Sequence, residues 1–185
     1  MPTRTVHMRG SQSGFTLIEL MAGLAIVTII AGIGGPSLNR LLHRHRASAA
    51  LNALTADLAL ARMVAISRGK AVTACPSRDA TSCMDDGDWT EGWLVFVDGN
   101  DDRHLGADEQ VLGTHQAPRN GDLWLHSTDG RTALRYLPSG FSYGSNATIT
   151  ACVDGQAYGA LVVNNAGRVR VERTAGAVPC PSVQG

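Results

Sequence analysis

The chain divides by its pattern of apolar and polar positions. Residues 15–35 are uncharged and mostly apolar, interrupted by a single acid, Glu19. These 21 residues would form a helix roughly 31 Å long, close to the thickness of a bilayer's hydrocarbon core. A buried core helix fits poorly, because the rest of the chain has few apolar faces to surround it. A cleaved secretory signal fits poorly too. The run is longer than a typical signal core, and no small-x-small pattern closes it. The span is therefore read as a transmembrane helix.

Beyond Gly34-Gly35-Pro36, which weakens or kinks a helix, the pattern becomes one-sided. Leu38, Leu41, Leu42, Leu51, Leu54, Leu58, Ala61 and Ala65 recur at steps of three and four, the mark of an amphipathic helix with one buried stripe. Gly69 is its stop. One helix is expected from about Phe15 to Arg68. After it come short apolar runs at 70–75, 92–98, 110–113, 123–126, 134–137, 148–153, 160–164 and 168–173, separated by Gly, Asn, Asp and Pro. Close spacing of this kind predicts an antiparallel sheet or small sandwich. The class is α+β, a long N-terminal helix packed on antiparallel β structure.

An acid inside a membrane helix costs about 2.5–3.5 kcal/mol at the centre and less near an end. No Lys or Arg lies one helical turn from Glu19, so its partner is expected on another molecule. Gly14-Phe15-Thr16-Leu17-Ile18-Glu19-Leu20 resembles the prepilin peptidase site of type IV pilins and type II secretion pseudopilins. The resemblance implies a cytoplasmic leader at 1–14, cleavage after Gly14 and methylation of Phe15. It also implies a subunit-assembly role for Glu19, whose carboxylate would neutralise the terminal amine of Phe15 on a neighbouring subunit. The remaining parts would be a transmembrane helix at 15–35, its amphipathic continuation at 36–68 and a periplasmic β-rich domain at 69–185.

Two further stretches narrow the resemblance. "LARMVAISRGKAVTACPS" and "DWTEGWLVFVDGNDD" are similar to the helix end and the Trp-x-x-Gly-Trp strand of the GspH/FimT family. Membership would imply a pilin-like fold. The implied function is that of a minor pilin of a type IV pilus, held in the inner membrane and then incorporated into an extracellular filament. A minor pseudopilin of a type II secretion system is the alternative. Implied partners are other pilins, prepilin peptidase, inner-membrane lipid and double-stranded DNA bound weakly and without sequence preference. No cofactor and no enzymatic activity are expected: no nucleophile elbow, Walker loop or His-Glu-x-x-His motif occurs.

Charge changes this picture little. Sixteen basic and sixteen acidic side chains balance, and loss of Arg4 and Arg9 with the leader would leave the mature chain slightly acidic. Any anion binding must be local. The positive-inside count is indecisive, since Arg40, Arg44 and Arg46 follow the span; orientation rests on the resemblance. His43 and His45, two apart, point to different sides of a helix and suit a solvated stretch near head groups better than a metal.

Cys75, Cys83, Cys152 and Cys180 allow three pairings. Cys75–Cys83 is expected to close a loop between neighbouring elements, and Cys152–Cys180 to tie the tail to the sheet. Asp98, Asn100, Asp102 and Glu109 fall at positions 1, 3, 5 and 12 of an EF-hand-like loop. Arg103 stands where such a loop needs Gly, so a solvated acidic turn is expected and no metal. In "AGRVRVER" alternation would turn Val169 and Val171 inward and Arg168 and Arg170 outward together. Gly167 would let a backbone come close, Arg173 would join at the strand end, and Glu172 would partly cancel the charge. Gly167, Arg168, Arg170 and Arg173 resemble the C-terminal DNA-binding motif of FimT-type minor pilins.

Overall fold

A computed structural model describes residues 14–116 and 123–181, with backbone alone at 33–37 and 175–177. Apart from Gly14, the expected leader lies outside these residues. The chain forms two compact units, Met1–Arg40 and Leu41–Gly185. Helix α1, Leu17–Arg68, contributes to both. Among the described residues eight strands follow: β1 Val72–Pro76, β2 Gly92–Val97, β3 Val111–Gln116, β4 Leu123–Ser127, β5 Leu134–Tyr136, β6 Ala147–Val153, β7 Gln156–Val163 and β8 Val169–Pro179. Each overlaps one expected apolar run, although β7 begins four residues earlier than its run at 160–164 and β8 extends six residues beyond its run at 168–173.

In the first unit every described side chain from Leu17 to Gly32 is exposed. Ile18, Leu24, Ile26, Ile29 and Ile30 each leave more than half of their surface uncovered by protein. The segment Leu38–Arg68 is also apolar enough to cross a membrane by length and composition, but a third of its most apolar window is buried. It is the core helix of the second unit. Packing starts later than the periodicity suggests: Leu38, Leu41 and Leu42 are exposed, and the buried stripe runs through Ala47, Leu51, Leu54, Leu58, Ala61, Val64 and Ala65. The helix stops because Gly69 takes the left-handed conformation, at φ 63°, which glycine adopts without a Cβ clash.

The strands form two antiparallel four-stranded sheets, ordered β3-β2-β1-β5 and β4-β6-β7-β8. Both contribute to one core with the helix stripe. Val72, Ala74, Trp93 and Val95 come from the first sheet, and Leu125, Ile149, Leu161 and Val163 from the second. Asp57 on α1 accepts a 2.7 Å hydrogen bond from the Trp93 indole, so the largest inward side chain of β2 is also tied to the helix by its polar edge. The outer face of the first sheet is covered as well. Cys75, Leu94, Phe96 and Ala133 form a second cluster with Cys83 and Leu105 packed against it. This is why β1 and β2 are buried at every residue.

Disulfides join Cys75 to Cys83 and Cys152 to Cys180. The first closes the loop over the outer cluster. The second anchors the tail after β8, whose pairing with β7 is interrupted by a register shift between Ala157 and Gly159. Sequence separations of 8 and 28 residues give chain-entropy contributions of about 2.5 and about 3.5 kcal/mol. In urea unfolding of the Leu41–Gly185 unit, Cys152→Ser/Cys180→Ser is expected to cost about 1 kcal/mol more than Cys75→Ser/Cys83→Ser. Non-reducing peptide mapping of the full chain should recover only these two linked pairs.

Candidate functional site

At the start of α1, Thr16 and Glu19 form a reciprocal pair. The Glu19 amide donates to Thr16 Oγ1 at 3.3 Å, and the Thr16 amide donates to Glu19 Oε2 at 3.4 Å. This is a capping box, which satisfies two amides that a helix start otherwise leaves without partners. The Thr-x-x-Glu spacing carries that signal, and the expectation of an intermolecular role alone missed it. Gly14 and Phe15 lie just before the box, and Phe15 is 87% exposed. The expected cleavage and methylation positions are therefore open, with the Glu19 carboxylate one turn away.

The arginine motif is divided by the fold. Arg168 sits in the β7–β8 turn, where its amide donates to Asn164 Oδ1 at 3.0 Å; its side chain is exposed. Arg170 shares that outward side, but its Nε lies 2.8 Å from Glu172 Oε1. The partial cancellation expected from Glu172 is thus a direct ion pair. Arg173 does not join them. It lies with Val171 in a hollow bounded by Ser48, Leu51, Asn52 and Tyr158, because strand alternation places it on the face opposite Arg170. Val171 faces the helix side as expected yet stays 38% exposed, since β8 is an edge strand.

Gly167 is buried and takes φ 71°. A Cβ there would meet the Gly140 carbonyl oxygen at 2.2 Å. The backbone that approaches it is the protein's own, so Gly167 positions the arginine turn from beneath. The contact continues two residues further, where the Ser142 amide donates to the Asn165 carbonyl at 2.9 Å. The β7–β8 turn is thereby seated on the segment after β5.

The acidic loop at 98–109 is organised by its own chain. Asp98 is buried and accepts from Thr73 Oγ1 at 2.7 Å and from the Arg103 amide at 3.2 Å. Both Glu109 oxygens accept backbone amides, from Gly99 at 2.7 Å and Gly106 at 2.9 Å. Asp102 accepts from Asn100 and from the His104 amide. The hydrogen bond with the Asp102 backbone, together with Asp85, raises the His104 pKa above its ordinary value. Among the described residues no three His, Cys, Asp or Glu side chains converge on a metal position. His43 is more than a solvated residue: its Nδ1 lies 3.3 Å from Asp154 Oδ2, and its ring meets Tyr158 edge-on.

A capped and wholly exposed apolar helix start, followed by a helix stripe that fills the core of two antiparallel sheets, defines a pilin-like α+β protein. The chain belongs to the GspH family: the family model described as Type II transport protein GspH matches residues 50–167. The prokaryotic N-terminal methylation motif matches residues 9–35. The fold is similar to that of the type IV minor pilin FimU of Pseudomonas aeruginosa. One crystal form gives a TM-score of 0.58 at 22% identity, covering 73% of this chain and 94% of that one. A second gives 0.55 at 21% identity, covering 71% and 96%. The minor pseudopilin EpsH of Vibrio cholerae is also similar, with a TM-score of 0.48 and 16% identity over 69% of this chain and 96% of that one. No curated protein sequence matches the chain.

Seating of the arginine turn on Gly140 makes a clear prediction. Gly167→Ala combines a left-handed residue with a backbone overlap and should cost roughly 2–5 kcal/mol. Gly155 has nearly the same φ, 72°, with open space around it, so Gly155→Ala should cost only about 1–2 kcal/mol. Urea unfolding of the two variants checks the difference.

Proposed function

We propose that this chain is a minor pilin of a type IV pilus. On this reading prepilin peptidase cleaves it after Gly14, residues 15–35 anchor it in the inner membrane, and the domain lies in the periplasm until the subunit enters the filament. The observation that carries the reading is the Thr16–Glu19 start of an apolar helix that has no protein cover in its own chain. Such a surface needs lipid or other pilin helices around it. Processing would leave the Phe15 amine as a new positive charge, and opposite charges attract strongly where water is excluded. A minor pseudopilin of a type II secretion system is the second reading, favoured by the description of the family to which the chain belongs. Both are structural roles in a filament rather than enzymatic ones.

Glu19 can serve the helix cap, the neighbouring subunit, or both, and two substitutions separate these. Gln retains the capping hydrogen bonds but not the charge. If charge docks the subunit, Glu19→Gln and Glu19→Ala should both insert into the membrane and both be depleted from sheared pili. Depletion of the Ala variant alone would assign Glu19 to the cap. Filament incorporation in a type II secretion background and not in pili would favour the second reading.

We further infer that the pilus-borne domain binds DNA for uptake through the exposed face of the Gly167–Arg170 turn. Arg168 supports this reading, being exposed with no carboxylate paired to it among the described residues. Binding through so few phosphates should be weak, indifferent to base sequence and sensitive to salt, by about 0.9 log units per log unit of salt for each phosphate engaged. In titrations of the full chain in neutral detergent, Arg168→Gln should remove most binding, whereas Arg170→Gln should matter less because Glu172 already holds that side chain. Loss of transformation with pili intact would match; unaltered binding in Arg168→Gln would overturn the assignment.

A further inference from the structure

Beside the arginine turn lies a feature outside the DNA motif. Phe141 and Tyr143 stack on one another with ring centroids 5.0 Å apart and planes 3° from parallel, yet they are 38% and 56% exposed. Large aromatic rings held side by side in water are not a packing requirement of the core. Their outward pose has a local cause. Ser142 between them is buried: its amide donates to Asn165, its hydroxyl donates to the Arg135 carbonyl at 2.9 Å, and it lies 3.0 Å from the Ser145 hydroxyl. Tyr143 and Gly144 are the corner of a turn closed by the Ser145 amide, which donates to the Ser142 carbonyl at 3.3 Å, and because Ser142 and Ser145 are both buried the corner stands outward with Phe141 beside it. The rings are therefore pre-ordered.

Arginines bracket this pair. At one end Gly140 lies against the Arg62 side chain, with Arg62 Nε 3.3 Å from where a Cβ would stand, and against Gly167, the residue before Arg168. At the other end Gly144 has Arg103 Nη2 at 3.8 Å from the same construction, and its carbonyl accepts from Arg131 at 3.1 Å. Among the described residues no carboxylate pairs with any of these four arginines. From Arg131 an open groove of ≈ 700 Å³ leads past Asn164 and Asn165 to Arg170, with Asp129 the acid on its border. Four arginines thus stand near two exposed rings, none of them in an ion pair among the described residues, with Asp101 and Asp102 beside Arg103 in the chain and Asp129 on the groove border as the neighbouring acids.

Cations track phosphates, and ring faces accept unpaired bases. A duplex offers the first contact but hides its base faces in the stack. We propose that the Phe141–Tyr143 pair and its bracketing arginines form a binding platform for single-stranded DNA, so that this domain prefers unpaired strands or frayed ends over intact duplex. The inference rests on the DNA-binding reading of the Arg168 turn and names the form of DNA that the surface takes.

The test uses the full chain in neutral detergent, with fluorescence anisotropy at low salt against three probes of equal length: oligothymidylate, duplex DNA and an abasic deoxyribose-phosphate strand. Stacking on one base by an aromatic ring is typically worth about 5- to 150-fold in affinity. Oligothymidylate should therefore bind at least about fivefold tighter than the abasic strand. Tyr143→Leu and Phe141→Ala should remove that advantage while leaving duplex binding within about twofold. Both side chains are exposed, and the abasic comparison needs no substitution, so a folding defect cannot decide the outcome. Equal binding of oligothymidylate and the abasic strand by the unaltered chain overturns the platform but leaves the DNA reading standing, provided Arg168→Gln weakens both. Binding of no probe at low salt overturns the DNA reading and the platform with it. Normal DNA binding by the ring variants, combined with their depletion from pili, would assign the rings to a subunit contact and overturn the platform.

Discussion

One continuous helix has to satisfy two kinds of surroundings, and the structure follows from that constraint. Up to Gly32 α1 is apolar on all sides and uncovered by its own chain. From Ala47 onward it is apolar on one stripe, which two sheets cover. A helix that is hydrophobic all round needs lipid or other helices, and a one-sided helix needs a domain. Because both demands fall on one backbone, its first turn cannot be satisfied by packing within the chain. The Thr16–Glu19 box supplies that turn with its own hydrogen bonds. The same carboxylate is the only charge in the apolar run, so the local cap and any contact with another subunit compete for one group.

The domain end shows a related economy. The β7–β8 turn carries Arg168 at the surface but is fixed from below by contacts that admit no side chain, Gly167 on Gly140, and by the Ser142–Asn165 hydrogen bond. The strap that supports the turn also projects Phe141 and Tyr143. Tyr136, beneath Gly167, has its hydroxyl pKa pushed up to about 12 by burial, so this support stays uncharged across the physiological range. A rigid base under the exposed turn keeps Arg168 in place without an ion pair among the described residues to hold it, which preserves its attraction for an external anion.

Much of this was legible in the sequence because its signals were periodic. All eight strands and the helix stop at Gly69 could be read from alternation and punctuation, and the disulfide pairing from which elements the cysteines flank. The helix stripe was legible in phase but not in extent, since Leu38, Leu41 and Leu42 repeat at the right steps with nothing to pack on. What could not be read was contact between segments distant in the chain. The motif at 167–173 looks like one cluster in sequence, yet a strand places Arg173 opposite Arg170 and brings Glu172 onto Arg170. Phe141 and Tyr143 carried a usable signal, two aromatics flanking a serine, but its meaning depended on where Ser142 turned. In the acidic loop the sequence showed the turn but not its internal bonding: Asp98 accepts from Thr73 and the Arg103 amide, and Glu109 from the Gly99 and Gly106 amides.

These placements bear on how a nearly neutral protein could hold a polyanion at all. Long-range attraction scales with net charge, and the sixteen basic and sixteen acidic groups cancel. Beyond about 8–10 Å at physiological salt, screening removes what remains. Affinity must then come from contacts within a few ångströms, where each unpaired arginine acts individually and salt competes with every phosphate contact. Arg170 shows the cost of pairing: with Glu172 at 2.8 Å, a phosphate must displace an existing partner. Among the described residues no carboxylate holds Arg168 in this way. A surface with few free cations gains most from contacts that salt does not weaken, and stacking on an aromatic face is of that kind. This is the physical reason to read the arginines and the Phe141–Tyr143 pair as one surface instead of two unrelated features.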